Sequence, residues 1–360
     1  MEQFNMLRSR AIPVDLIRFT AISAVILVHS AGHWTLMPQQ ITQMSTLELF
    51  SWGVVDVYQS FASIGAPLFI MLTGALLLQP TKNDSLLTFF KKRWARIGLP
   101  FLFWGAAYFV WDFVVVGIPF SLNVIVQGIL NGPYTHFWYC YVLIGLYLMT
   151  PIIRVFLIQA DKTIMKYFLL VWFLGIIINH LLDFLTQYTI SGNIFLIGEF
   201  LGYFVLGTYL LTIRISLRKI IILMILGFSS TAVTTYLLTV TVGGGEMYLF
   251  QQYFSPTVIL SSAMVFLLFL KLQESSMQKK SNTTRTSKII RVVSENTLPL
   301  YLFHVMILES IRKGFFGFTI NRNVMNPIVD VPLELVIVFS ASLGIILLLK
   351  KIPYLKRLIG

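Results

Sequence analysis

The chain has 360 residues, 57% of them hydrophobic and 12% charged, with a mean hydropathy of +0.80, whereas about a quarter of the residues in a soluble domain are charged. This excludes a soluble globular protein and predicts an integral membrane protein. The formal charge of +12 raises nucleic-acid binding as a question, which the placement of the charges answers below, and the single cysteine, Cys140, excludes an intramolecular disulfide and a CxxC metal site.

Thirty Phe, fifteen Tyr and seven Trp suit a helical bundle with aromatic interfacial belts, and no alternating ten-residue segments argue for a barrel. The fold class is therefore all-α, a polytopic helical bundle forming one domain over 1–360. Arg8 and Arg10 precede the first apolar stretch as they would in a signal peptide, but that stretch carries ionisable groups and lacks a small-residue cleavage site. It is expected to be a retained helix. Apolar runs near the twenty residues a bilayer needs fall at about 12–32, 57–79, 95–117, 137–157, 166–184, 194–212, 218–241, 253–272, 295–314 and 331–350. All but Arg312, Lys313 and Arg322 of the 27 basic residues lie on one side of these ten spans. The positive-inside rule makes that side cytoplasmic and puts both termini there. Topology accounts for the cationic surplus, so no nucleic acid is expected. The polar stretch 273–293 is expected to be a cytoplasmic loop, with QESSMQKKSNTTRTSK at 273–288 disordered.

The first span, PVDLIRFTAISAVILVHSAGHW at 13–34, carries Asp15, Arg18, His29 and His33. Ionisable groups in such a segment are costly and normally face a bundle interior. Arg18 and His29 are eleven residues apart, about 16 Å and three turns along a helix, so they share a face. That spacing suits a long, anionic-headed molecule entering from the cytoplasm, its charge held at Arg18 and its reactive end at His29. A histidine there can act as a general base on a hydroxyl. Snorkelling of Arg18 and an interfacial His29 form the plainer reading. Arg93 and Arg96 lie three apart at the mouth of the third span, in FFKKRWARIGLPFLFW, where two guanidiniums can hold a phosphate bidentately. Ordinary anchoring explains Lys91 and Lys92.

Further along, THFWYCYVLIGLYLMTPIIR places His136, Trp138 and Tyr139 at the outer surface, as a belt or as a carbohydrate-binding platform. Glu199, in NIFLIGEFLGYFVLG, is a carboxylate that could orient His29 or be satisfied structurally, with Gly198, Gly202 and Gly207 permitting close helix contact. SENTLPLYLFHVMIL brings His304 to about mid-membrane, as ligand contact or structural hydrogen bond. No metal is expected, because only His29 and His33 have helical ligand spacing and no HExxH accompanies them.

With these residues in place, the chain resembles the membrane-bound acyltransferase family 3, and within it the bacterial surface-polysaccharide O-acetyltransferases. The resemblance rests on the DLIR…H run with ten residues between Arg18 and His29, GAPLFIMLTGALLL at 65–78, the Arg93/Arg96 pair with Pro100, HFWYCYVLIGLYLMTP at 136–151, and SENTLPLYLFH at 294–304. Thr73 stands where relatives commonly have Ser. The resemblance implies a ten-helix multi-pass protein of the bacterial cytoplasmic membrane that takes an acyl group, most simply acetyl, from cytoplasmic acyl-CoA to a hydroxyl of an extracytoplasmic or lipid-linked glycan. It implies no permanently bound cofactor, a catalytic His29, and an acyl-CoA site at Arg18, Arg93 and Arg96. No esterase-like domain follows the helices, so a second transferase component, if used, is a separate protein. The competing reading is a transporter or flippase for a glycan or lipid-linked intermediate, whose expected signs, paired broken helices and symmetric mid-membrane acids, are mostly missing.

Overall fold

The structure, a computed structural model, describes residues 12–32, 44–79, 84–186, 199–241, 250–278, 285–320 and 325–360. Among them there is no strand. Helix α1 (Val14–Ala31) starts from Pro13 and is the hub of the bundle. Its Ile17, Ala21, Ile22, Val25 and Ile26 are buried and it packs on α2 (Thr46–Ala62), α3 (Gly65–Leu77), α11 (Arg285–Glu295), α12 (Thr297–Arg312) and α13 (Pro327–Leu349). Helix α2 begins eleven residues before the expected span because Ser45 and Glu48 form a reciprocal capping box that satisfies its first N–H groups.

Helical structure is continuous over α4 (Leu86–Val116), but two π-helical turns, Trp94–Gly98 and Trp111–Val116, interrupt its α geometry. The first has a cause in the sequence. Pro100 lacks an N–H and its ring crowds the carbonyl four residues earlier, that of Arg96; the turn widens ahead of it, and the Leu99 N–H bonds the Trp94 carbonyl. Then come α5 (Leu122–Asn131), a 3-10 turn at Thr135–Phe137, α6 (Trp138–Gln159), α7 (Lys162–Thr186), α8 (Glu199–Leu210), α9 (Leu217–Thr241), α10 (Pro256–Gln278) and, at the far end, α14 (Pro353–Ile359).

Helices α3 and α8 form the tightest crossing. A Cβ on Gly74 would lie 1.8 Å from the Phe204 carbonyl oxygen, and one on Gly207 would lie 2.0 Å from that of Met71. Backbones approach this closely in membranes where small residues meet. Helices α9 and α10 use hydroxyls the same way: Thr231, Thr235 and Thr239 are buried on one face, and Thr231 bonds Thr257 at 2.8 Å. Outward faces of α6, α7 and α9 leave Ile152, Val155, Leu170, Leu181, Ile222 and Leu226 exposed, as lipid-facing surfaces do.

Helices occur at all ten expected span positions. Eight helical stretches among the described residues are long and apolar enough to cross a membrane, with α2–α3 joined as one and α5–α6 as another. Helices α8 and α12, of 12 and 16 residues, are shorter than the length required. The expected disordered loop is corrected in part: 273–278 continue α10, and 285–288 open α11, whose end buries Val293 and Ser294 against α1. Ser294 donates to Asp15 at 2.6 Å.

Candidate active site

Arg18, Arg93 and Arg96 line one cavity of about 460 Å³, within the roughly 300–1,000 Å³ typical of small-molecule and cofactor sites. Several elements converge to make it: Arg18 comes from α1, Arg93 from the α-helical end just before the widened turn of α4, Arg96 from that turn, and Ser294, Leu298 and Tyr301 from the α11–α12 junction, with α3 and α6 closing the wall. Both arginines of the pair reach the cavity, Arg93 from the last α-helical residue before the π turn and Arg96 from within it. Arg93 lies over the rings of Phe89 and Tyr147, 5.5 and 5.8 Å from their centroids, and its Nε is buried without a hydrogen-bond partner. Among the described residues none of the three arginines forms a salt bridge. Thr73 and Tyr139 also line the cavity, and Thr73 donates to its own helix at the Phe69 carbonyl.

Past Tyr301 and Tyr139, whose rings are 5.1 Å apart, the chain places three histidines together. Ring centroids of His29 and His304 are 5.1 Å apart, those of His136 and His304 5.4 Å, and those of His29 and His136 6.3 Å. His136 and His304 are buried, and His29 is partly exposed. The backbone holds the inner two. His304 Nδ1 faces the Tyr301 and Leu300 carbonyls at 2.7 and 3.1 Å, and His136 Nε2 faces the Leu302 carbonyl at 3.2 Å. Tyr301 donates its hydroxyl to the His136 carbonyl.

A buried ion pair fixes the end of α1 that carries His29. Arg312 of α12 bonds both carboxylate oxygens of Glu334 of α13 at 2.9 and 3.0 Å, and its Nη2 donates to the carbonyls of His29 and Ser30 at 2.8 and 3.2 Å. These carbonyls belong to the last turn of α1, where the regular helical donors run out; the Gly32 N–H also reaches the His29 carbonyl.

A family model described as an acyltransferase domain matches residues 13–351. The chain belongs to the membrane-bound acyltransferase family 3. Neither the curated proteins nor the solved structures gave a match.

In this family 3 acyltransferase the sequence-expected residues divide into three groups. Arg18, Arg93, Arg96 and Tyr139 share the cavity, while His29, His136 and His304 share the cluster. Trp138 and Glu199 join neither. The outer-surface placement of His136 and Tyr139 is corrected, since both are buried, at 1% and 5% exposure. The 3-10 turn at Thr135–Phe137 tucks His136 inward, and Tyr139 falls on the buried face of α6 with Cys140, Leu143 and Tyr147. Trp138, on the next face, packs on Phe200 and Tyr253 with centroids 5.4 Å away in each case.

Glu199 begins α8, and its carbonyl accepts a bond from Trp172 Nε1 at 2.9 Å. No hydrogen bond, ion pair or ring contact among the described residues joins it to His29, because α8 packs on α3 and α7 rather than on the C-terminal end of α1. Gly202 serves that packing, a Cβ there falling 1.9 Å from the Trp172 ring. His33 and Gly198 lie outside the described residues. Arg312, Glu334 and Tyr301 were not singled out as site residues from sequence. Glu334, a fully buried acid inside an apolar helix, carried the signal that could have found the ion pair. Among the described residues no group of three or more His, Cys, Asp and Glu side chains could hold a metal ion.

Proposed function

We propose that this acyltransferase transfers an acetyl group from cytoplasmic acetyl-CoA to a hydroxyl of an extracytoplasmic or lipid-linked cell-surface glycan. The observation that carries the reading is three guanidiniums without a salt bridge around one cavity, with its wall residue Tyr301 one turn from His304, which contacts His29. Uncompensated arginines in a partly buried site are costly unless an anion joins them, and guanidinium pairs match phosphate oxygens. Acyl-CoA supplies such an anion at one end and a thioester at the other.

In the proposed reaction the phosphates dock at Arg93, Arg96 and Arg18, and the pantetheine arm extends along α1 toward His29. The neutral His29 takes the proton of the acceptor hydroxyl. The hydroxyl oxygen attacks the thioester carbonyl, the C–S bond breaks, and the CoA thiolate leaves with the proton that His29 returns. The partial exposure of His29, against the full burial of His304, lets an acceptor reach it. The donor half is tested by equilibrium binding of acetyl-CoA to the purified protein. Wild type and His29→Ala are expected to bind alike, and Arg93→Gln/Arg96→Gln to bind far more weakly; equal binding by all three would refute the site. Labelled acetyl-CoA without acceptor tests direct transfer. A stable label on the protein that disappears in His29→Ala would replace the base with an acyl-histidine intermediate.

A further inference from the structure

The inner histidines carry an inconsistency that points to a role for His304. Carbonyl oxygens only accept, so His304 Nδ1, facing those of Leu300 and Tyr301, must carry its proton. Its Nε2 is then a bare acceptor, and it is buried with no partner. His136 is held in the opposite tautomer: Nε2 donates to the Leu302 carbonyl, and Nδ1 is left bare and without a partner. Two acceptors cannot satisfy each other, although these rings are 5.4 Å apart. The third ring against His304 is Tyr301, whose hydroxyl is committed to the His136 carbonyl. That leaves His29. An N–H···N bond of about 2.9 Å joins imidazoles whose centroids stand roughly 5 Å apart; His29 and His304 are at 5.1 Å, and His29 and His136, at 6.3 Å, are too far. The His29 and His304 planes are tilted by 53° and the bond is not closed. The terminal torsion of a histidine is soft, and such bonds commonly tighten only when substrate is bound.

We propose that His304 is a positioning residue for His29: its Nε2 accepts the proton on one His29 nitrogen and so fixes the other nitrogen, with its lone pair, toward the acceptor hydroxyl. This rests on the proposed role of His29. When His29 takes the hydroxyl proton it holds both ring protons, one bonded to His304, and it returns the newly gained one to the leaving thiolate. His304 itself neither gains nor loses a proton.

Two isosteric substitutions separate this from a packing role. His304→Asn keeps an amide N–H near Nδ1 for the helix carbonyls and removes the Nε2 acceptor. His304→Gln places an amide oxygen near Nε2 and gives up the Nδ1 contact. Full-length variants in host membrane vesicles, with labelled acetyl-CoA as donor and the vesicles' own glycan as acceptor, give kcat and KM. The positioning role predicts that His304→Asn lowers kcat roughly 10- to 100-fold, in the range of a misplaced general base. It also predicts an unchanged KM for acetyl-CoA and a kcat for His304→Gln at least about tenfold above that of His304→Asn. Equal loss in both, or a faster Asn variant, overturns the proposal while leaving His29 untouched. Activity in His29→Ala would instead overturn the reading beneath it. Nitrogen-15 spectra of the wild-type histidines need no variant: a His304 protonated at Nδ1 is expected, and one protonated at Nε2 refutes the proposal.

Discussion

At the scale of single residues, charge and chemistry fall to different side chains. Each arginine at the cavity is expected to contribute a charge-assisted hydrogen bond of about 1.5–3 kcal/mol, so Arg93→Gln or Arg96→Gln should raise KM for acetyl-CoA roughly 10- to 100-fold. Initial rates at varied acetyl-CoA check this, and a fall in kcat alone would move the arginine out of the donor site. Glu334 belongs to stability. Its replacement by Gln leaves the Arg312 charge, whose side chain is 19% exposed, without its carboxylate, and breaking a buried pair costs about 3–5 kcal/mol. Because Arg312 is not fully buried, a loss near the lower end is expected, visible as a lower thermal midpoint in detergent. An unchanged midpoint would show that the carbonyls of His29 and Ser30 hold Arg312 unaided. Sequence separated the two kinds of residue only partly. The spacing of Arg18 and His29 was legible because one helix carries both, whereas Glu199 was paired with His29 on depth alone. Depth does not say which helices touch, and the C-terminal end of α1 meets α12 and α13.

At the scale of elements, helix ends and crossings decide the site. The π turn ahead of Pro100 carries Arg96 and sets its register against Arg93 just before it, both facing the cavity, so Pro100→Ala should let the turn tighten and raise KM for acetyl-CoA with kcat little changed. An unaltered KM would mean the aim is set by packing on Phe89 and Tyr147. The α3–α8 crossing has no room for one methyl group. Gly74→Ala, with its Cβ 1.8 Å from the Phe204 carbonyl, should cost at least about 3 kcal/mol and lower the folded yield. Gly344→Ala meets nothing within 4 Å and should be neutral or slightly stabilising, since Ala is the better helix former. Size-exclusion profiles and melting in detergent compare the pair. The glycines of α8 were read correctly as contact points, since small residues in apolar helices have few other uses. The 3-10 turn that buries His136 was not legible, because THFW has no breaker to mark it and aromatic residues there also fit a belt.

At the scale of the molecule, the apolar runs and the one-sided Lys and Arg placed the helices, because length and hydropathy are local properties. Which helix reaches which neighbour is not local, and so the histidine cluster, drawn from α1, α12 and the turn before α6, came only from the structure. The orientation expected from the positive-inside rule would put the arginine cavity on the cytoplasmic side and His29 toward the outside. With Cys140 replaced, Asn131→Cys should react with an impermeant maleimide on intact cells, and Ser216→Cys only after permeabilisation; the reverse pattern would invert the donor's direction of entry. Proposed donor binding and proposed acyl transfer then meet along α1, across the 16 Å or so that separate Arg18 from His29. The most direct measurement is the content of base-labile acetate on the surface glycan of cells whose only copy of the gene encodes His29→Ala, normalised to correctly inserted protein. The account predicts acetate no higher than in cells lacking the protein, and acetate at the wild-type level would contradict it.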